Sequence, residues 1–232
     1  MNLKKTFRYA FKRTIPILIS WIPVALAYGV LMSAAGYNFL WTGATSLIVY
    51  AGSLQFLMIS FFTSAVPLIT VAIMALLLNS RHIFYGLSLI EKFRGVGHWK
   101  AFLIYSLADE NYSLHCSAVP EDGVDEKWQY VISSALLVSY WVILSMLGAL
   151  AGSFIPFDTT GIDFALTALF AVILIDQLRG ADNQLPAIVA GVSSVVCLAL
   201  LGPDNFILPS LLVTVAALIV LKRWIEPGQE VA

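Results

Sequence analysis

Across 232 residues only 12% are charged and 59% are hydrophobic, with a net charge of −1 and a mean hydropathy of +0.87. A soluble domain carries roughly 25% charged residues, so this chain cannot clothe a water-facing globule and its outer surface is read as facing lipid. Near-neutral charge and the lack of a basic, aromatic-lined stretch exclude nucleic acid as a partner.

The first element opens with Lys4, Lys5, Arg8, Lys12 and Arg13 ahead of an apolar run from Thr14 to Gly36. A signal peptide begins the same way, but its apolar core is only about 7–15 residues long. This run is long enough to span a hydrocarbon layer of roughly 30 Å, which predicts a retained first helix with its basic end, residues 1–13, in the cytoplasm. Further apolar segments follow over 41–62, 65–90, 98–119, 130–153, 162–179, 184–202 and 205–223. They are continuously apolar rather than alternating, which predicts helices and not barrel strands. Gly36-Tyr37-Asn38, the 91–100 stretch, Pro120-Glu121-Asp122-Gly123, Pro156 with Asp158, and Gly202-Pro203-Asp204-Asn205 punctuate them. The reading is all-α: a polytopic transmembrane helix bundle of seven to eight segments, one domain over 1–232, with residues 224–232 a frayed tail. Cys116 and Cys197 lack ligand spacing and read as reduced thiols packed among helices.

Charge placement strains this topology. If all eight segments cross, Lys127, Arg179, Lys222 and Arg223 join the N-terminal bases inside, while Lys92, Arg94 and Lys100 fall outside, against the positive-inside bias. If one early segment is re-entrant, the 91–100 loop moves inside and Lys222-Arg223 moves out. Eight crossings are the expectation, with seven left open. An internal repeat with broken helices is suggested by Phe39–Gly43 ahead of Gln55 and Phe157–Gly161 ahead of Gln177, each followed by a proline-started apolar run at Pro67 and Pro186.

Polar residues inside apolar segments carry the chemistry, because an ionisable group at mid-membrane costs about 2.5–3.5 kcal/mol on insertion scales. In Leu78-Asn79-Ser80-Arg81-His82-Ile83-Phe84-Tyr85-Gly86, a continuous helix puts Asn79, His82 and Gly86 on one face and Arg81 with Tyr85 on the next. Arg81 there suits a carboxylate, although an arginine near a span's end also snorkels to the interface. Asp109 and Glu110 sit midway along 98–119, suited to an ammonium group or a proton, unless that stretch is an amphipathic surface helix. Gly52, Ser53 and Gln55 within the second segment suit either an unwound helix whose freed backbone binds a ligand or close helix packing. Asp176 and Arg179 read as a local ion pair at a helix end, and His98 and His115 as interfacial or hydrogen-bonded. No P-loop, metal-ligand spacing or nucleophile motif occurs, so no cofactor and no enzyme activity are expected.

Ala51-Gly52-Ser53-Leu54-Gln55-Phe56, the Asn79-x-Arg81-His82 element and the later Asp109-Glu110-Asn111-Tyr112 carry a resemblance along nearly the whole chain. The sequence resembles the AzlC family of branched-chain amino-acid permeases, which includes YgaZ-type and BrnF-type large subunits. Asn111 stands where a small hydroxyl residue is expected, and the second half matches in hydropathy more than in motif. The resemblance implies export of leucine, isoleucine or valine, sometimes methionine, by proton-motive secondary transport in the bacterial inner membrane, together with a small AzlD-type subunit. Joined to the residue reading, it casts Arg81 with Asn79, His82 and Tyr85 as the carboxylate site. Asp109 or Glu110 becomes the ammonium or proton site, and Gly52, Ser53 and Gln55 line the path. Two rivals are a membrane enzyme acting on lipid or isoprenoid through Asp109, Glu110 and His82, and a channel or assembly subunit.

Overall fold

The computed structural model describes residues 3–64, 66–119, 122–154, 184–202 and 206–225, with isolated positions between 168 and 179. Among these residues all regular structure is helical: α1 Leu3–Ala34, α2 Phe39–Ile48, α3 Gly52–Thr63, α4 Leu68–Asn79, α5 Arg81–Ser88, α6 Trp99–Tyr105, α7 Asp109–Cys116, α8 Glu126–Ser153, α9 Leu185–Leu201 and α10 Ile207–Ile225. Most of the predicted segment 162–179, the second copy of the suggested repeat (Phe157–Gly161 with Gln177) and Asp176 of the pair with Arg179 lie outside the described residues. The chain forms two compact units, Met1–Ala65 with Leu78–Ile162, and Val66–Leu77 with Asp163–Ala232.

The first unit is built on α1 and α8, both long and apolar enough to cross a bilayer. Asn38 caps α2 by accepting from the N–H groups of Leu40 and Trp41, and Asp125 caps α8 by accepting from Trp128. The two long helices run parallel: the Asp125 N–H donates to Thr6 Oγ1 at their starts, Thr14 and Tyr140 hydroxyls meet midway, and Ser33 packs on Gly152 near their ends. Small residues allow this closeness. A Cβ on Gly29 would lie 2.1 Å from the Ser145 carbonyl oxygen, and one on Gly148 would lie 2.3 Å from that of Leu26. Gly148-Ala149-Leu150-Ala151-Gly152 is thus a small-xxx-small seam of the kind that lets membrane helices touch backbone to backbone.

Between α1 and α8 the apolar segments do not run straight. The predicted 41–62 segment is broken at Val49–Ala51, and Tyr37, just before α2, has its ring 5.0 Å from Phe62 near the end of α3. A continuous helix would separate those two residues by on the order of 35 Å, so α2 and α3 form a hairpin that returns to its own end. The 98–119 segment does the same from the other end. It breaks at Ser106–Ala108, and both of its termini reach the first turns of α8: Trp99 packs on Trp128 at 5.8 Å and His115 Nε2 is 3.0 Å from Ser134 Oγ. Its arms of 7 and 8 residues are each about 10–12 Å long, too short to cross. It is therefore not one continuous crossing helix.

The 65–90 segment is also interrupted, at Ser80 between α4 and α5, which together are long and apolar enough for one broken span. Asn79 and Ser80 offer the backbone side-chain hydrogen-bond alternatives that weaken a helix interior. The end of α5 and the turn after it pack Leu89, Phe93 and Val96 against Leu103, Leu107, Tyr130 and Val131. Here Lys92 donates to the carbonyls of His115 and Cys116, while Arg13 donates to that of Leu114 and to Ser117 Oγ. The 91–100 turn therefore lies at the same end of this unit as the basic N-terminus, not opposite it as eight crossings required. Among the described residues two helices, or three counting the broken pair, are long and apolar enough to cross, against the seven to eight segments expected.

In the second unit, α9 and α10 pack against each other, with Ser193, Cys197 and Ser210 buried. Gly202 ends α9 with φ 76°, a left-handed conformation suited to glycine. Cys116, by contrast, is exposed.

Candidate functional site

Every interruption in the first unit begins a new helix at a polar residue: Gly52-Ser53 opens α3, Arg81 opens α5 and Asp109-Glu110 opens α7. None of these three starts has a side-chain cap. Free N–H groups at a helix start carry partial positive charge, and the two carboxylates in the first turn of α7 offset it. The other end of α7 is matched too, since its last carbonyls receive the Arg13 and Lys92 cations. An eight-residue helix is thus clamped by charge at both ends.

Arg81 and Asp109 form an ion pair of 2.9 Å, with side chains 34% and 43% exposed. Tyr85, one turn after Arg81 on the same face, donates its hydroxyl to the other carboxylate oxygen of Asp109 at 2.7 Å. The Tyr85 ring stacks on Tyr112 at 4.5 Å, which fixes it. Arg81 also donates to Ser53 Oγ at 3.4 Å, so this one guanidinium ties all three helix starts together. Its Nε is buried and has no hydrogen-bond partner among the described residues. An orphaned donor of this kind costs about 1–3 kcal/mol.

Glu110 points the other way, accepting from the Trp21 indole N–H at 3.0 Å. Trp21 meets Trp141 edge-on at 5.4 Å, and Trp141 donates its own indole N–H to Gln55 at 2.8 Å. Gln55 completes its amide by donating to Ser46 at 3.2 Å. Buried and paired on both sides, Gln55 holds the first hairpin to α8. Gly52 lies under the Trp141 ring, where an added Cβ would make ordinary contact at 3.5 Å.

The tips of the two hairpins touch. The Tyr50 ring is 5.9 Å from that of Tyr105, Tyr50 donates to Asn111 Oδ1 at 3.4 Å, and the Tyr105 hydroxyl donates to the Leu47 carbonyl. Asn111, fully buried, continues to Ser134 on α8, which also meets His115. Among the described residues Tyr50 is the one non-glycine with positive φ, 42°. Holding a bulky residue there costs of order 1–3 kcal/mol and persists only where the surroundings over-determine it.

The structure therefore brings Arg81, Tyr85, Ser53 and Asp109 into one cluster, with Glu110 and Gln55 beside it. His82 packs edge-on against the Tyr85 ring at 5.7 Å. Asn79 ends α4 before the break, so it does not share a continuous helical face with His82 and Gly86 as the sequence pattern predicted. His98 tilts against Trp99, and His115 is hydrogen-bonded as expected. Trp21, Trp141 and Ser134 were not foreseen as neighbours of the cluster. No spacing rule links a residue of α1 or α8 to the intervening hairpins; the available signal was polar or indole groups recurring on otherwise apolar helices.

A family described as AzlC protein matches residues 16–155. The branched-chain amino acid transport protein AzlC of Bacillus subtilis is 34% identical over 223 residues, covering 96% of this chain and 88% of its own. The chain belongs to the AzlC family. An uncharacterized membrane protein of Helicobacter pylori is 35% identical over 223 residues, covering 96% of this chain and 97% of its own. The inner membrane protein YgaZ of Escherichia coli is 29% identical over 182 residues, 75% of this chain and 74% of its own. No solved structure matches. All the cluster residues described above, from Trp21 to Trp141, fall inside the stretch matched to the AzlC family. Like these relatives, the chain is a membrane protein.

Proposed function

We propose that this AzlC-family chain is the large subunit of a secondary active exporter for leucine, isoleucine and valine, driven by the proton-motive force and working with a small AzlD-type membrane subunit. The observation that carries the reading is the Arg81–Asp109 ion pair at 2.9 Å, placed where three interrupted helices begin and edged by an unsatisfied Nε donor. An amino acid is an internal salt. Its carboxylate suits the Arg81 fork and its ammonium suits Asp109, so substrate exchanges for the existing pair without leaving a lone charge in a low-dielectric interior. Tyr85 keeps Asp109 aimed during that exchange. Glu110, held by an indole rather than a cation, is the carboxyl that carries the proton.

Selectivity comes from an apolar pocket, and such a pocket separates one methylene by only about 1–3 kcal/mol, so the three branched substrates share the path. The name of the Bacillus subtilis relative supports this substrate class. Of the eight apolar segments, two turn back at half depth. The end carrying the N-terminal bases together with Lys92, Arg94 and Lys100 faces the cytoplasm, in line with the positive-inside bias. Uptake of radiolabelled leucine into proteoliposomes holding the chain and its small partner, with an imposed pH gradient, tests the reading. Gradient-dependent flux is expected, and full flux in a D109A/E110A variant overturns the proposed site.

A further inference from the structure

Resting on the transport reading above, we propose that the contact between the hairpin tips, Tyr50 against Tyr105 and Asn111, is the closed gate of the substrate path, opened when an amino-acid zwitterion replaces the Arg81–Asp109 pair. Five observations converge on it. The two hairpins come from opposite ends of the first unit and touch at and next to their turns. Each tip holds the other: Tyr105 donates to the Leu47 carbonyl on the arm leading into Tyr50, and Tyr50 donates to Asn111 on the arm leading away from Tyr105.

Both hairpins are fastened to α8 just behind the turns, the first by Gln55 on Trp141 and the second by Asn111 on Ser134. Between the two arms of the first hairpin, the short segment Val49–Ala51 lies outside both helices. That segment is the strained one. Tyr50 sits at φ 42° and is buried, and leaving this contact lets its backbone return to an ordinary conformation.

The candidate site lies in the same layer. Ser53 follows Tyr50 on the first hairpin, Asp109 follows Tyr105 on the second, and Arg81 bridges them. A substrate carboxylate that takes Arg81 removes the Ser53 and Asp109 ties in one event. The hairpins then lose the guanidinium that joins them while the strain at Tyr50 remains, which shifts the population toward parted tips. Substrate binding and opening are thereby one equilibrium.

The test uses the full chain with its small partner in proteoliposomes. Cys116 and Cys197 are replaced by serine, and Y50C and Y105C are joined by short bis-methanethiosulfonate reagents. Tethering is expected to cut leucine counterflow at least tenfold, with recovery on adding reductant, and bound leucine is expected to slow the tethering reaction. Counterflow that is equal in tethered and untethered protein overturns the gate and leaves the transport reading standing. A lack of leucine counterflow in the unaltered chain overturns both. Should the cysteine pair not fold, Y50F serves instead: it keeps the ring but loses the Asn111 bond, and a severalfold rise in passive leucine leak is expected. An unchanged leak in Y50F overturns the proposal.

Discussion

Arg81 and Asp109 are costly only when separated. Removing one member of a fully buried ion pair costs about 3–5 kcal/mol because the survivor is left uncompensated. At 34% and 43% exposure, solvent screens part of that penalty, and ~1–2 kcal/mol is expected for D109N or R81Q. The R81M/D109L double variant should lose less stability than the sum of the singles, and thermal unfolding in detergent gives the cycle. Function should respond differently from stability. R81K keeps the charge but not the planar fork, so it should fold normally and yet carry leucine at least tenfold more slowly. Y85F removes a hydrogen bond to a charged group, an interaction worth about 1.5–3 kcal/mol, and should raise the half-saturating leucine concentration with little change in maximal rate. E110Q should keep downhill exchange but lose stimulation by a pH gradient, and an unimpaired response would transfer the proton role elsewhere.

The helices show the same economy of small groups and matched ends. G29L and G148L each thrust a side chain into backbone less than 2.5 Å from the Cβ position, so both should collapse the α1–α8 seam and abolish folded protein on size exclusion. Gly86 meets nothing within 4 Å, so G86A should be tolerated and add up to about 1 kcal/mol of helix propensity. The charge clamp on α7 gives a graded test. R13Q and K92Q remove cations from the helix C-terminus, each worth about 0.3–1 kcal/mol. Together they should lower the melting temperature by a few degrees and weaken leucine binding, because Asp109 lies at the other end of that helix. The seam was written plainly as Gly148-x-x-x-Gly152, yet its partner on α1 was not, since nothing in a single sequence pairs one apolar helix with another.

For the first unit as a whole, the hairpins set which loops share a side. Single cysteines at positions 37 and 64 should react with an impermeant thiol reagent from one side of the membrane, and cysteines at 95 and 123 from the other, together with the N-terminus. Labelling of 37 and 95 from the same side would remove the hairpin topology. Hydropathy revealed that the chain lies in a membrane and where its apolar runs begin and end. It did not reveal that 41–62 and 98–119 are broken into hairpins, because a run of apolar residues has the same composition whether it is continuous or turns. The polar residues held the missing information: Ser53, Arg81 and Asp109 stand at the restart of a helix in all three broken segments, and the charge conflict at Lys92, Arg94 and Lys100 was the strain in the straight reading. The parallel pairing of α1 with α8 also bears on biosynthesis. The seat of both hairpins is completed by a helix that leaves the ribosome long after α1, so the nascent chain must keep the carboxylates of α7 sheltered, at the translocon or in the headgroup zone, until α8 arrives. A polypeptide halted before Glu126 would have no scaffold on which to lodge them and should be cleared by membrane proteases.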